Sequence, residues 1–366
     1  MEVWREPVRG VYGDLAVLAM PGIERFRRGF AGELARPPVH HLTGMHPTEA
    51  SQGRCVFAMP ATDWLRTSVG TIPLGALAFL ADAALGGVVN TGLGPGSVAS
   101  TSELSLRAVR PATTSAGSFV AEAELTHLGR LLALGQGRVT DSQGRLLATT
   151  STRCFVTPYP LPDDVPPPTP PPTYETPSPW ELRSAGRLFT AEQLESLTGL
   201  EILRGSLGAD EHALPAPPIH YLFGLRPVAA DEGGSRWVMP ATPWLSAGAP
   251  FMYGGAIALL ADTALAGTAW TVSPEGTLPY TMDLNVRFLR PGPLEGELVA
   301  EGTVVHRGRT MVVSQARVTT TDGALVALAD GSAALVPLDV RALPLEDAMA
   351  DRLDPDGGPR RSPAPA

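Results

Sequence analysis

The stretch YGGAIALLADTALAGTAWTV, residues 253–272, decides how the chain folds. A glycine pair opens it, and apolar or small residues then run on for more than three helical turns around a single charge, Asp262. Alanine and leucine favour helix, and a helix apolar on every side belongs inside a protein. A carboxylate halfway along such a helix is no cap, and burying it without a partner is costly. The stretch has a counterpart. Residues 74–91 read LGALAFLADAALGGVVNT, with Asp82 at the same place in the pattern, 180 residues before Asp262.

The same offset holds outside the helix. Met59-Pro60-Ala61-Thr62 returns as Met239-Pro240-Ala241-Thr242, Pro37-Pro38-Val39-His40 as Pro217-Pro218-Ile219-His220, and Thr101 with Pro111 as Thr281 with Pro291. His127-Leu128-Gly129-Arg130 returns one residue early, as His306-Arg307-Gly308-Arg309. A repeat of this length is a whole domain present twice. The expected limits are a first domain over 15–157, a proline-rich spacer over 158–180, a second domain over 181–338 and a disordered tail over 339–366. Residues 1–14 give no clear reading.

Within each copy the pattern predicts an amphipathic leading helix (15–34 and 191–207), a Pro-Pro turn, two short strands and the apolar helix. Alternation then predicts four strands, over 97–109, 118–127, 131–141 and 146–156, and again over 278–289, 297–306, 311–321 and 324–336. This is an α+β layout, one helix wrapped by an antiparallel sheet. The spacer, PYPLPDDVPPPTPPPTYETPSP, reads as extended polyproline chain.

Composition narrows the function. The net charge of −9 argues against a nucleic-acid partner, and the chain has no lysine, so arginines would carry any anion binding. Glycine, proline and the aspartates interrupt every apolar run before it makes a clean membrane span. The first residues lack a basic region followed by an apolar core, so no signal peptide is read; with two cysteines, Cys55 and Cys154, outside any CxxC, this points to a reducing, cytoplasmic setting. Of His40, His41 and His46 only the first repeats, so no metal site is read.

The order of these motifs resembles the PaaI-like acyl-CoA thioesterases of the hotdog fold, in which the helix begins HGG and runs to LAD. The resemblance covers nearly all of both copies. It implies two tandem hotdog domains packed as an internal pseudo-dimer, able to associate with further copies. It also implies hydrolysis of an acyl-CoA, with coenzyme A as part of the substrate and no other cofactor. Carried over by motif, Asp82, Asp262, Thr101, Thr281, Gly75, Gly254 and Gly255 would be catalytic, and Tyr253, Arg130 and Arg309 substrate-binding. The chain departs from the pattern where Tyr253 and Pro73 stand at the family's His, Leu74 at its first glycine, and Ala247 and Thr67 at its Asn. A non-catalytic acyl-CoA binder and an enoyl-CoA hydratase are the alternative readings.

Elementary geometry adds one constraint. A helix N-terminus offers unpaired N–H groups at its positive end, which suit a developing oxyanion. Gly255 and Asp262 lie roughly 10 Å apart along one helix, too far to act on one carbonyl. The acid must come from the other copy, giving one site from Gly254, Gly255, Asp82 and Thr101 and another from Gly75, Asp262 and Thr281. The glycine pair predicts that the first is the working site, because Pro73 and Leu74 crowd the second.

Overall fold

The computed structural model describes residues 2–208 and 213–345. Its short helices are α1 (Leu15–Leu18), α2 (Gly22–Phe30) and α3 (Pro38–Thr43), and the central helix of the first copy is α4 (Leu74–Thr91). The second copy has α5 (Ala191–Ser196), α6 (Gly199–Gly205), α7 (Pro218–Phe223) and the central α8 (Gly254–Trp270). The strands of the first copy are β1 (His46–Ser51), β2 (Arg54–Pro60), β3 (Ser97–Ala108), β4 (Ser118–Leu128), β5 (Leu132–Asp141) and β6 (Leu146–Pro158). Those of the second are β7 (Arg226–Asp231), β8 (Gly234–Pro240), β9 (Thr277–Phe288), β10 (Glu297–Arg307), β11 (Met311–Thr320) and β12 (Leu325–Pro337).

The strands form one twelve-stranded sheet in the order β1-β2-β4-β5-β6-β3-β9-β12-β11-β10-β8-β7. The copies meet where β3 pairs antiparallel with β9, with Ser105 opposite Asn285. Those two residues are separated by the repeat offset, so a pseudo-twofold axis passes through their pair. Leu104, Leu106, Leu284 and Val286 flank it, all fully buried beneath the helices. The chain is thus an α+β pair of hotdogs, each with a central helix wrapped by its half of the sheet.

The central helices pack against each other in antiparallel fashion, and two glycines permit the contact. A Cβ on Gly75 would stand 2.9 Å from Leu259 Cα, and one on Gly255 would stand 2.8 Å from Phe79 Cα. No side chain fits at either place. By length and composition α4 would pass for a membrane span, contrary to the reading from its interruptions, but in the fold it is buried between sheet and partner helix.

Several expectations are corrected. Each leading helix is two helices. The first breaks at Pro21; in the second, Thr190 with Gln193 and Thr198 with Glu201 form two capping boxes, each starting its own helix. The Pro-Pro turns are short helices with Pro38 and Pro218 in the first turn, ended by Gly44 and Gly224 in the left-handed region. Residues 339–345 of the expected disordered tail are packed, with Leu343 and Leu345 buried; 346–366 lie outside the described residues.

The unread first residues cross between the copies. Val3 is fully buried, Trp4 lies against Gly224 of the second copy, and Trp244 Nε1 donates to Glu6 O at 2.9 Å. The counterpart runs the other way: Trp180 lies against Gly44 of the first copy, and Trp64 Nε1 donates to Leu182 O at 2.9 Å. Each copy is therefore strapped by the segment that precedes its neighbour. The spacer has no regular element between Pro158 and Pro179 and is fastened to the first strap, with Thr169 N–H on Asp14 Oδ2 and Gly10 N–H on Tyr174 Oη. Val3→Asp would bury a carboxylate in this seam and should lower stability by on the order of 3 kcal/mol, read as a shifted urea midpoint; an unchanged midpoint would show that the strap contributes nothing.

Candidate active site

Apolar packing on all sides of α8 puts Asp262 in the core, with no exposed surface. Its Oδ2 accepts from the Gly75 N–H at 2.7 Å, in the first turn of α4. Its Oδ1 has no hydrogen-bond partner. Burial pushes the carboxyl up to about 6, against the opposing pull of the Gly75 amide and of Thr281 on β9. Thr281 Oγ1 is near enough to favour the charged form, but it does not satisfy Oδ1.

Asp82 occupies the related place at the start of α8. Thr101 Oγ1 donates to its Oδ1 at 3.0 Å. Its Oδ2 lies 2.8 Å from where a Cβ on Gly254 would stand, so only glycine fits there. Burial pushes this carboxyl also to about 6, with Thr101 and the Gly255 amide opposing. Each carboxylate thus faces the N-terminus of the other copy's helix, where the unpaired amides and the dipole favour negative charge.

The two centres differ in what surrounds them. An apolar cavity of about 390 Å³ opens beside Asp262. One wall is a face of α8 formed by Asp262, Ala266, Gly267 and Trp270; α6 covers it with Ile202 and Leu203, and Leu74, Leu77 and Ala108 of the first copy close the side. At the Asp82 centre two aromatic rings stand close to the helix start. Phe288 stands where the first copy has Ala108, and its Cζ lies 3.6 Å from the point above Gly254. The Tyr253 ring fills the space over Gly255, and its hydroxyl donates to Phe79 O at 2.6 Å. Two aromatic rings thus stand over the glycine pair that was expected to leave its backbone open, while Leu74, expected to crowd its site, is part of the cavity wall.

The remaining candidates lie elsewhere. Arg130 and Arg309 are exposed on the turns after β4 and β10, and neither lines the cavity. Tyr253 is buried with its hydroxyl committed to Phe79. His40 and His220 are half-buried in α3 and α7, each pushed down to about 3 by desolvation first. Among the described residues no three His, Cys, Asp or Glu side chains cluster as metal ligands.

Both halves of the chain match family models. Residues 24–156 match the acyl-CoA thioesterase C-terminal domain and residues 249–327 the thioesterase superfamily, so each match contains one of the aspartates. The chain is a double hotdog of the thioesterase superfamily. That family places it among thioester hydrolases. Two solved structures agree on the fold. A protein of Novosphingobium aromaticivorans described as a thioesterase is 15% identical, with a TM-score of 0.50 over 79% of this chain and 98% of its own. The tesB protein of Mycobacterium avium subs. paratuberculosis is 13% identical, with a TM-score of 0.51 over 82% and 98%. The PaaI protein from the phenylacetic acid degradation operon of E. coli is 23% identical over 39% of this chain and 96% of its own, with a TM-score of 0.33. No curated protein matches the sequence.

The double hotdog's cavity wall was not read from the sequence, although signals exist. Ala108 against Phe288, and Trp237 against Phe57, are places where the copies differ in volume or polarity. Trp4 with Gly10 and Trp180 with Gly186 share a spacing that marks the straps. The raised aspartates also carry a stability consequence. A carboxyl whose folded pKa is about 6 stays protonated in the fold while the unfolded chain ionises near 3.9, so stability falls as pH rises through that window and stays lower above it. Asp262→Asn should therefore stabilise the chain at pH 8 by a few kcal/mol, and the gain should vanish at about pH 4. Thermal melts at the two pH values measure it; equal melting shifts would exclude the raised pKa.

Proposed function

We propose that the chain hydrolyses an acyl-CoA thioester at the centre formed by Asp262 and the first turn of α4. The observation that carries the reading is the coincidence of three features at one point. A buried carboxylate has an unused oxygen, a helix N-terminus adjoins it, and an apolar cavity adjoins both. The acyl group would lie in the cavity along α8, with its thioester carbonyl toward Leu74 and Gly75. The Gly75 N–H is given to Asp262, so the Leu74 amide and the helix dipole would favour the oxyanion as it develops.

Asp262 Oδ1 would take a proton from water as the water oxygen bonds to the carbonyl carbon. Collapse of the tetrahedral adduct breaks the carbon–sulfur bond, and the proton passes to the departing CoA thiolate. The products are the free acid and CoA. No cofactor enters the sequence of steps. Asp82, held by Thr101 and closed in by Phe288 and Tyr253, acts in this reading as a cap on α8, binding the helix end as Asp262 does but without a substrate volume beside it.

Incubation with a panel of acyl-CoAs and a thiol reagent tests the proposal. Asp262→Asn should lower kcat/KM by on the order of a hundredfold or more, and Asp82→Asn should cost little. A larger loss in Asp82→Asn would move the reaction to the other centre; no thiol release, with a thermal shift on adding acyl-CoA, would make the chain a binder. The base must be ionised, so the rate should fall as pH drops through about 6. A profile flat down to about pH 4 would remove the aspartate from the chemistry.

A further inference from the structure

The cavity contains a second polar group without a partner. Trp237 on β8 is 6% exposed and lines the cavity, and its Nε1 is buried with no hydrogen-bond partner. That edge of the indole lies directly over Gly267, also in the wall: a Cβ on Gly267 would stand 2.4 Å from Nε1. No side chain lies beneath it, and the N–H sits unpaired against the α8 backbone. The His220 ring stands edge-on to the indole at 5.5 Å between centroids and leaves Nε1 unpaired.

The repeat supplies an internal comparison. The first copy has Phe57 at the place of Trp237, equally buried, with the same glycine beneath it at Gly87. A benzene ring therefore satisfies this position in the fold. The indole N–H adds nothing to packing, and leaving it unpaired costs free energy comparable to a lost hydrogen bond. It is present at the wall of the cavity and absent from the corresponding place in the first copy.

We infer that the cavity takes an acyl group bearing an acceptor oxygen, a hydroxyl or a ketone partway along its length, which receives the Trp237 Nε1–H. This rests on the reading of the cavity as an acyl-CoA site. Gly267 is five residues beyond Asp262, so the donor lies roughly 7.5 Å from the carboxylate along the helix axis and about 140° around it, the reach of an acyl chain of roughly six carbons or more. A plain alkyl chain fills the same wall but leaves the N–H orphaned. Rejection of an analogue that lacks the bonding group is the stronger form of discrimination, because the site is left with an unpaired polar atom.

The test uses the full chain and two substrates of matched shape, ω-hydroxyhexanoyl-CoA and heptanoyl-CoA, which place a hydroxyl or a methyl at the same point. Hydrolysis is followed by thiol release and binding by calorimetry. Wild type should prefer the hydroxyl substrate, and Trp237→Phe should reduce that preference by on the order of tenfold while retaining turnover of heptanoyl-CoA. Because both substrates meet the same enlarged cavity, their ratio cancels the change in ring volume. An unchanged ratio in the variant, or a wild-type preference for heptanoyl-CoA, would overturn the inference. Binding that shows the preference without thiol release would retain it while removing the hydrolase reading, and no binding of either compound would overturn it.

Discussion

The structure depends on two carboxylates buried at helix N-termini that belong to the opposite copy. An aspartate in the middle of an apolar helix is tolerable only if something replaces the water it has lost. Gly75 does so for Asp262, and Thr101 with the start of α8 does so for Asp82. Neither copy can satisfy its own acid, because the start of its own helix is too far away. The close antiparallel contact of α4 and α8, the glycines that permit it and the pairing of β3 with β9 all follow from bringing the two halves into that exchange.

The straps extend the exchange to the surface. Trp64 and Trp244 each anchor the loop that leads into a central helix, and each gives its indole N–H to a backbone carbonyl of the segment leading into the other copy. The spacer must therefore carry the chain across the first copy before the second begins. Extended proline-rich chain spans that distance without a core of its own and is held by a few polar contacts along residues 9–14.

Duplication leaves two acids with different surroundings. Both are pushed up to about 6 by burial, so pKa does not separate them. Volume does. Ala108 against Phe288, and the Tyr253 ring lodged on Gly255, leave one centre open and fill the other. Each acid accepts one close hydrogen bond, Asp262 from the Gly75 amide and Asp82 from the Thr101 hydroxyl, so the surrounding volume and not the bonding separates the centres.

By itself the sequence determined the repeat, the two buried acids, the succession of strands and the need for each acid to meet the other copy's helix. These rest on local periodicity and on one-dimensional distances, which a string of residues carries in full. The leading helices were read as unbroken from their apolar spacing, although Pro21 and the paired Thr-x-x-Gln and Thr-x-x-Glu caps mark the breaks. Only the tertiary structure decided which centre is open. That depends on Phe288 and Ala108, which come from strand ends distant in sequence from the helix starts they face, and on the Tyr253 ring lying back over Gly255; the side-chain volume that fills a cavity has no period. The glycine pair at 254–255 marked where a backbone can be approached; what approaches it is a tyrosine of the same helix start and a phenylalanine from the end of β9.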